Sequence, residues 1–262
     1  MTNDNLTTTT RWVSYGLITA ALVAFLAYFW VYNIYAFALF QFPFDYDQGE
    51  GYELLDTVLF SQGEWPYRDS NAYPFYSSNY PPVFHLVIVP LVWLFGPQYW
   101  TGRLVGYLGT LITAAAIGYA VHRVGGRKHA WLSALCGLGY LASNYVYHVG
   151  PLFRQHLFMV MFETLAVVWL TAVYEREERT GQPHWRGLLG VMVLLVLAGY
   201  TKQLAYATVL AVFGFMFLRD WKRPFIWGVP SRPSSELSFC GSTGLQMGTG
   251  GRTPLRPTST NL

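Results

Sequence analysis

The sequence predicts an all-α polytopic membrane protein, with about six transmembrane helices and two juxtamembrane helices in its first outer loop. Of the 262 residues, 53% are hydrophobic, 18% are aromatic and only 12% are charged. Soluble domains carry about 25% charged residues, so this composition is typical of membrane proteins. Two further observations support this fold class: the chain contains several long apolar runs, and its basic residues are clustered between them.

Six apolar runs are candidate membrane spans, because a helix needs about 20 apolar residues to cross the hydrocarbon core. The run 83–95 is too short to cross comfortably. Lys and Arg accumulate in cytoplasmic loops, and leaving 83–95 out of the count puts Arg11 and three basic clusters on one side. We therefore expect 83–95 to be an interfacial helix and the N-terminus to be cytoplasmic. The predicted spans are 12–40, 99–121, 130–147, 155–174, 185–200 and 203–218.

The predicted organisation has three parts. Residues 1–11 form a cytoplasmic N-terminus, and residues 12–227 form the transmembrane domain with an acidic outer loop at 41–98. Residues 228–262 are rich in Pro, Ser, Thr and Gly, a composition that buries too little surface to fold. We expect this tail to be disordered and to arise from truncation or a frame shift, and a genuine flexible tail is the alternative.

The first outer loop carries half of the carboxylates of the chain. Seven of the 14 acidic residues lie between Phe42 and Pro82, against a single base, Arg68. Such a concentration at one membrane face indicates chemistry or ion handling, so we look for function in this loop. The acidic residues are Asp45, Asp47, Glu50, Glu53, Asp56, Glu64 and Asp69.

A short amphipathic helix is predicted from Gly51 to Gln62, because apolar residues recur there at helical spacing and Gly63 is a typical helix stop. The carboxylates at its start have two interpretations. They are either N-terminal helix charges in a solvated loop, or Asp47 is a general base or metal ligand beside a bound sugar or phosphate. The spacing of Asp45 and Asp47 does not separate the two.

Three cationic groups accompany this loop in the predicted topology. Lys202 lies in a long apolar run on the outer side, so its charge needs a partner or an aqueous pocket. His85 follows two prolines that start a helix well, and it is either a phosphate contact or an interfacial polar residue. Arg103 is either a phosphate contact or an anchor that snorkels to the interface.

Several motifs follow one another in order along residues 12–225: Asp47-Gln48-Gly49-Glu50, Gly63-Glu64-Trp65-Pro66-Tyr67-Arg68-Asp69, Tyr80-Pro81-Pro82, Gly102-Arg103-Leu104 and Thr201-Lys202-Gln203. Through this ordered set the chain resembles the lipid-phosphate-sugar-dependent glycosyltransferases of the GT-C superfamily. Protein O-mannosyltransferases and lipid A aminoarabinose transferases belong to this superfamily. Relatives often have glutamate where Gln48 follows Asp47, and many have an arginine followed by aspartate where this chain has Arg154-Gln155-His156.

The resemblance implies an inverting transfer from a polyprenyl-phosphate sugar at the outer face of the cell membrane. Asp47, with Glu50, would take the proton of an acceptor hydroxyl on a lipid, glycan or protein. No cofactor is implied, although Asp45 and Asp47 together are an option for a divalent cation. Membrane lipids are the expected surroundings and nucleic acid is not an expected partner. The cations implied to face the phosphate of the donor are Lys202, Arg154, Arg103 and His85.

Two rival functions remain open at this stage. A transporter would need charged residues at mid-membrane depth, and Glu163 is the only acid inside a predicted span. A non-catalytic or degenerate relative of the glycosyltransferases is the other rival.

Overall fold

The structure is a computed structural model that describes residues 2–219, with side chains from residue 10 onward. Within this range it is all-helical, which confirms the predicted fold class. The predicted tail, 228–262, lies outside the described residues. The α-helices of the described range are α1 (Thr2–Gln41), α2 (Glu50–Ser61), α3 (Val83–Phe95), α4 (Tyr99–Gly125), α5 (Ala130–Leu141), α6 (Asn144–Val149), α7 (Gln155–Thr180), α8 (Trp185–Gly199) and α9 (Tyr206–Arg219).

Three of these helices are long and apolar enough to cross a membrane by length and composition: α1 from Thr10 onward, α4 and α7. The count of six spans is not confirmed. The predicted span 130–147 divides at Ser143, whose extended backbone separates α5 from α6. Helix α8 has 15 residues, and at 1.5 Å per residue it is shorter than a hydrocarbon core of about 30 Å.

The first predicted outer loop contains the two expected short helices. Helix α2 ends one residue before Gln62, and Gly63 follows with a φ of 75°, a backbone conformation that glycine adopts without strain. Helix α3 has the predicted bounds and begins directly after Pro82. The two helices pack against each other and against the start of α4.

The bundle has a basic end, where the C-termini of α4, α7 and α9 meet. Arg123 of α4 forms an ion pair with Glu175 of α7, and Arg219 of α9 pairs with Glu178 of α7. Helices α4 and α7 therefore run in the same direction. Their N-termini lie together at the opposite end, where a Cβ on Gly106 would come within 2.7 Å of the carbonyl oxygen of Leu152. We call this opposite end, which also carries α2, the acidic end.

Aromatic and aliphatic side chains pack together next to the acidic end, on the side that faces the interior of the bundle. Phe84 and Ile88 of α3 are fully buried and pack with Phe153 and with Phe158 of α7. Helix α1, in contrast, leaves large apolar side chains such as Trp30 exposed. An exposed apolar helix surface of this kind suits contact with lipid or with further helices.

Candidate active site

Helix α2 buries its acidic face, not only an apolar one. Glu50, Glu53 and Asp56 recur every three residues, and all three are at most 3% exposed, together with Thr57. Residues at this spacing share one side of a helix. A buried carboxylate needs hydrogen-bond donors or a proton, so the partner of each one indicates what it does.

Glu50 is locked into an ion pair with Arg103. The guanidinium donates to both carboxylate oxygens, with Nε 3.0 Å from Oε1 and Nη2 2.6 Å from Oε2. The backbone nitrogens of Tyr46 and Phe153 also donate to Glu50, at 2.9 and 2.8 Å. Both side chains are completely buried.

Arg103 uses its remaining donors on the end of the first helix. Its Nη1 donates to the carbonyl oxygens of Leu39 and Phe42, and its Nη2 donates to that of Phe44. With the two bonds to Glu50, all five N–H groups of the guanidinium are occupied. This geometry does not support the predicted roles of Glu50 in catalysis and of Arg103 in phosphate binding, and it supports a structural clamp. Those roles stay predictions.

Asp47 pairs with Arg154, which precedes α7. Nε and Nη2 of Arg154 lie 2.8 and 2.6 Å from Oδ2 of Asp47. The Asp47 side chain is 43% exposed, so it is accessible to a substrate. Gly49 permits this contact, because a Cβ at that position would overlap the guanidinium of Arg154.

Glu53 lies behind this pair and is 3% exposed. The Gln155 amide is oriented with its nitrogen towards Glu53, since the opposite orientation would set its oxygen against the carboxylate. In this orientation it donates at 2.8 Å to Oε1 of Glu53, and Nη1 of Arg154 lies 3.8 Å from the same atom. Burial raises the pKa of Glu53 to about 7, although Arg154 acts in the opposite direction.

His85, a predicted phosphate contact, is fully buried beneath Glu53 instead of lining the surface. Its Nδ1 lies 3.1 Å from Oγ1 of Thr57, and its Nε2 faces Oε2 of Glu53 at 3.4 Å. Burial lowers the pKa of His85 to about 4. Contact with a phosphate stays a prediction that this position does not support.

Asp56, the third acid of α2, holds the loop that follows the helix. Its Oδ1 accepts a hydrogen bond from the Tyr76 hydroxyl at 2.7 Å, and its Oδ2 accepts one from the Ser78 hydroxyl at 2.6 Å. Both donors are about 20 residues further along the chain. Asp56 thus fastens residues 76–78 to α2.

Lys202 reaches the same end from the connection between α8 and α9. Its Nζ donates to Nε2 of His156 and lies 5.0 Å from the centre of the Tyr80 ring. A cation over an aromatic face is stabilised by the charge distribution of the ring. Burial lowers the pKa of Lys202, while the Glu53 carboxylate acts to raise it.

Two hydrogen bonds hold the Lys202 connection against the loop that enters α3. The backbone nitrogen of Val83 donates to the carbonyl oxygen of Tyr200 at 3.0 Å, and Nε2 of Gln203 donates to that of Asn79 at 3.1 Å. These contacts join segments about 120 residues apart.

Three consecutive residues therefore contact the main polar side chains of the site. Arg154 binds Asp47, Gln155 binds Glu53, and His156 accepts from Lys202. Glu53, Gln155 and His156 are not among the predicted site residues. The spacing of the three acids of α2 is the signal in the sequence that indicates a buried acidic face.

Residues 79–230 match the family described as dolichyl-phosphate-mannose-protein mannosyltransferase. The match covers more than half of the 262 residues. The chain belongs to this family. It is a multi-pass membrane protein of a glycosyltransferase family of GT-C type, as the resemblance predicts.

The matched part of the mannosyltransferase family includes His85, Arg103, Arg154 and Lys202, and it begins after Asp47 and α2. Among the curated proteins and the solved structures, no match was found.

No candidate metal site coincides with these residues in the described range. No group of three or more His, Cys, Asp or Glu side chains is placed there to hold a metal ion. Oδ2 of Asp45 accepts from the backbone nitrogen of Gly51 at 3.2 Å. A cavity of about 490 Å³ lies between α1, α4 and α5, beside Phe29 and Gly137, and it includes no residue of the site.

Proposed function

We propose that this protein moves a sugar from a polyprenyl-phosphate donor to an acceptor hydroxyl, with inversion at the anomeric carbon. The observation that carries this proposal is the convergence of Asp47, Arg154 and Lys202 at the acidic end of the bundle. A glycosyl phosphate needs a base for the attacking hydroxyl and positive charge around its leaving phosphate. The acidic end supplies both kinds of group.

The base in this proposal is Asp47. Its side chain is 43% exposed, whereas those of Glu50, Glu53 and Asp56 are at most 4% exposed. Asp47 takes the proton of the acceptor hydroxyl as the oxygen attacks the anomeric carbon. The bond between this carbon and the phosphate oxygen breaks, and the polyprenyl phosphate leaves with the electron pair.

The cations that receive this phosphate in the proposal are Lys202 and Arg154. Lys202 has its nitrogen against neutral groups, His156 and the Tyr80 ring, so its charge is available to an anion. Arg154 offers a planar fork that suits phosphate oxygens. Arg103 has no free donor left, which favours Lys202 and Arg154 over it.

The proposed location of this site is the outer face of the cell membrane, with the N-terminus in the cytoplasm. The basic residues at the C-termini of α4, α7 and α9 support this orientation, because Lys and Arg accumulate on the cytoplasmic side. The site lies at the other end of α4 and α7.

The test is transfer by the purified protein in lipid bilayers, measured as release of polyprenyl phosphate from a panel of polyprenyl-phosphate sugars. We expect Asp47→Asn to lower kcat by about 10²–10⁴-fold, the contribution of a general base. Asp69→Asn is the matched control, since among the described residues the Asp69 side chain forms hydrogen bonds only to Asn71, within the exposed loop. Equal release by the parent and Asp47→Asn would remove Asp47 from the reaction.

A further inference from the structure

Three buried acceptor atoms meet behind Arg154 with no hydrogen between them. The Thr57 hydroxyl donates its one hydrogen to the carbonyl oxygen of Glu53 at 2.8 Å. Nδ1 of His85, 3.1 Å from the same hydroxyl, must therefore carry the hydrogen of that contact. In a neutral ring this leaves Nε2 as an acceptor, and it faces Oε2 of Glu53 at 3.4 Å and Oδ2 of Asp56 at 3.8 Å.

Of the two carboxylates that face this nitrogen, Asp56 is already satisfied. Each of its oxygens accepts a short hydrogen bond, from Tyr76 and from Ser78. Oε2 of Glu53 has only the longer contact of the Gln155 amide nitrogen, at 3.3 Å, and Nε2 of His85 has no hydrogen-bond partner within the described residues. Buried acceptors that face each other are unfavourable, and one proton between them converts the clash into a hydrogen bond.

We propose that Glu53 and His85 share one proton. Glu53 is then a positioning residue, because its charge determines whether the Arg154 guanidinium lies closer to Glu53 or to Asp47. This inference rests on the proposed function, because it describes the surroundings of the base Asp47. The geometry that carries it is the position of Arg154, with Nη2 2.6 Å from Asp47 and Nη1 3.8 Å from Glu53.

The charged groups that face Glu53 come from every element packed around it. Asp56 lies on the same helix, His85 on α3, Arg154 before α7 and Lys202 after α8. Burial is the largest influence and raises the pKa of Glu53 to about 7, above its ordinary 4.5. Burial also lowers the pKa of His85 to about 4, so the shared proton resides on Glu53 at neutral pH.

The charge of Glu53 has a direct effect on the base. While Glu53 is neutral, Arg154 is held by Asp47 alone, and a carboxylate held by an arginine takes up a proton less readily. When Glu53 loses the shared proton, its negative charge attracts the Arg154 guanidinium away from Asp47. Asp47 then takes up the proton of the attacking hydroxyl more readily. Transfer therefore rises as the pH increases through the neutral range.

The first test is the pH dependence of kcat/KM in Glu53→Gln, whose amide copies the shape and the donor of the protonated carboxyl group. We expect kcat/KM of the parent to rise about tenfold between about pH 6 and 8. We expect kcat/KM of the variant to stay near the low-pH value of the parent. Glu64→Gln is the matched control, because Glu64 lies in the same loop in an exposed pair with Arg68. A Glu53→Gln profile parallel to that of the parent would overturn the inference.

The second test detects the proton without turnover. Infrared difference spectra of the parent should show the band of a buried protonated carboxyl group that disappears as the pH rises through about 7. This band should be absent from Glu53→Gln and shifted in His85→Gln. A band that is missing from the parent, or that both variants leave unchanged, contradicts the shared proton. Loss of activity in Asp47→Asn is independent of this band, so failure of the proposed function is distinguishable.

Discussion

Arg103 and Glu50 form a fully buried, two-bond ion pair that joins α4 to the first turn of α2. The same guanidinium also binds three carbonyl oxygens at the end of α1. The end of α1, the start of α2 and α4 thus meet at one side chain, and Leu39 of α1 is more than 60 residues from Arg103 along the chain. The position of the whole acidic end depends on this contact.

Arg103→Lys is expected to destabilise the protein by on the order of 3 kcal/mol, because lysine has three donors and no planar fork to replace five bonds. Thermal unfolding in detergent measures the change. Arg68→Lys is the control, since the Arg68–Glu64 pair is exposed and such pairs contribute about 1 kcal/mol or less. Equal unfolding temperatures for the two variants would contradict the clamp.

Gly49→Ala is expected to reduce transfer at least about tenfold with little loss of stability. The backbone at Gly49 has a φ of −112°, which alanine adopts freely, so the cost is the overlap of the new Cβ with the Arg154 guanidinium. Arg154 must then move away from Asp47. Gly16→Ala in α1 is the matched control, because no atom lies within 4 Å of a Cβ there. Unchanged transfer in Gly49→Ala would show that the position of Arg154 does not matter.

Lys202→Ala is expected to raise the KM for the donor about tenfold or more, since one charge-assisted contact to the phosphate is lost. His156→Ala is expected to have a smaller effect in the same direction, because His156 holds Lys202. The double variant should behave like Lys202→Ala alone. His148→Ala, at an exposed histidine of α6, is the control. Additive effects would assign His156 a separate role.

The shared proton also predicts how stability depends on pH. Between about pH 4.5 and 6.5 the unfolded chain carries this proton on His85 and the folded chain carries it on Glu53. Both states bind one proton, so the pair does not make the free energy of unfolding depend on pH in this range. His85→Asn leaves only Glu53, whose folded pKa is raised. Its contribution is fully present below pH 4.5 and is lost as the pH rises through about 7.

Glu53→Gln leaves only His85, whose folded pKa is lowered. Its contribution is present above pH 6.5 and is lost as the pH falls towards about 4. The two variants should therefore differ from the parent with slopes of opposite sign, each approaching about 1.4 kcal/mol per pH unit. Unfolding temperatures over a pH series measure both slopes. Slopes of the same sign would contradict the pairing.

The helices of the first loop were predictable because their signals are local. Pro82 starts α3 and Gly63 follows α2, and both act through their own backbone geometry. The break at Ser143 was not predictable from apolarity, because residues on both sides of it are hydrophobic enough for one span. A hydropathy pattern records which segments avoid water and does not record where a helix is interrupted.

The roles within the site were only partly predictable. Asp47, Arg154 and Lys202 were predicted site residues, and the structure brings them to one end of the bundle. The sequence does not distinguish Asp47 from Glu50, because the difference is burial and the partner. Those partners are distant along the chain, 107 residues for Asp47 and Arg154.

The hydrogen bond from the Val83 nitrogen to the Tyr200 oxygen ties the segment before Lys202 to the first turn of α3, two residues from His85. A displacement of the Lys202 segment would therefore be passed through this hydrogen bond to the first turn of α3.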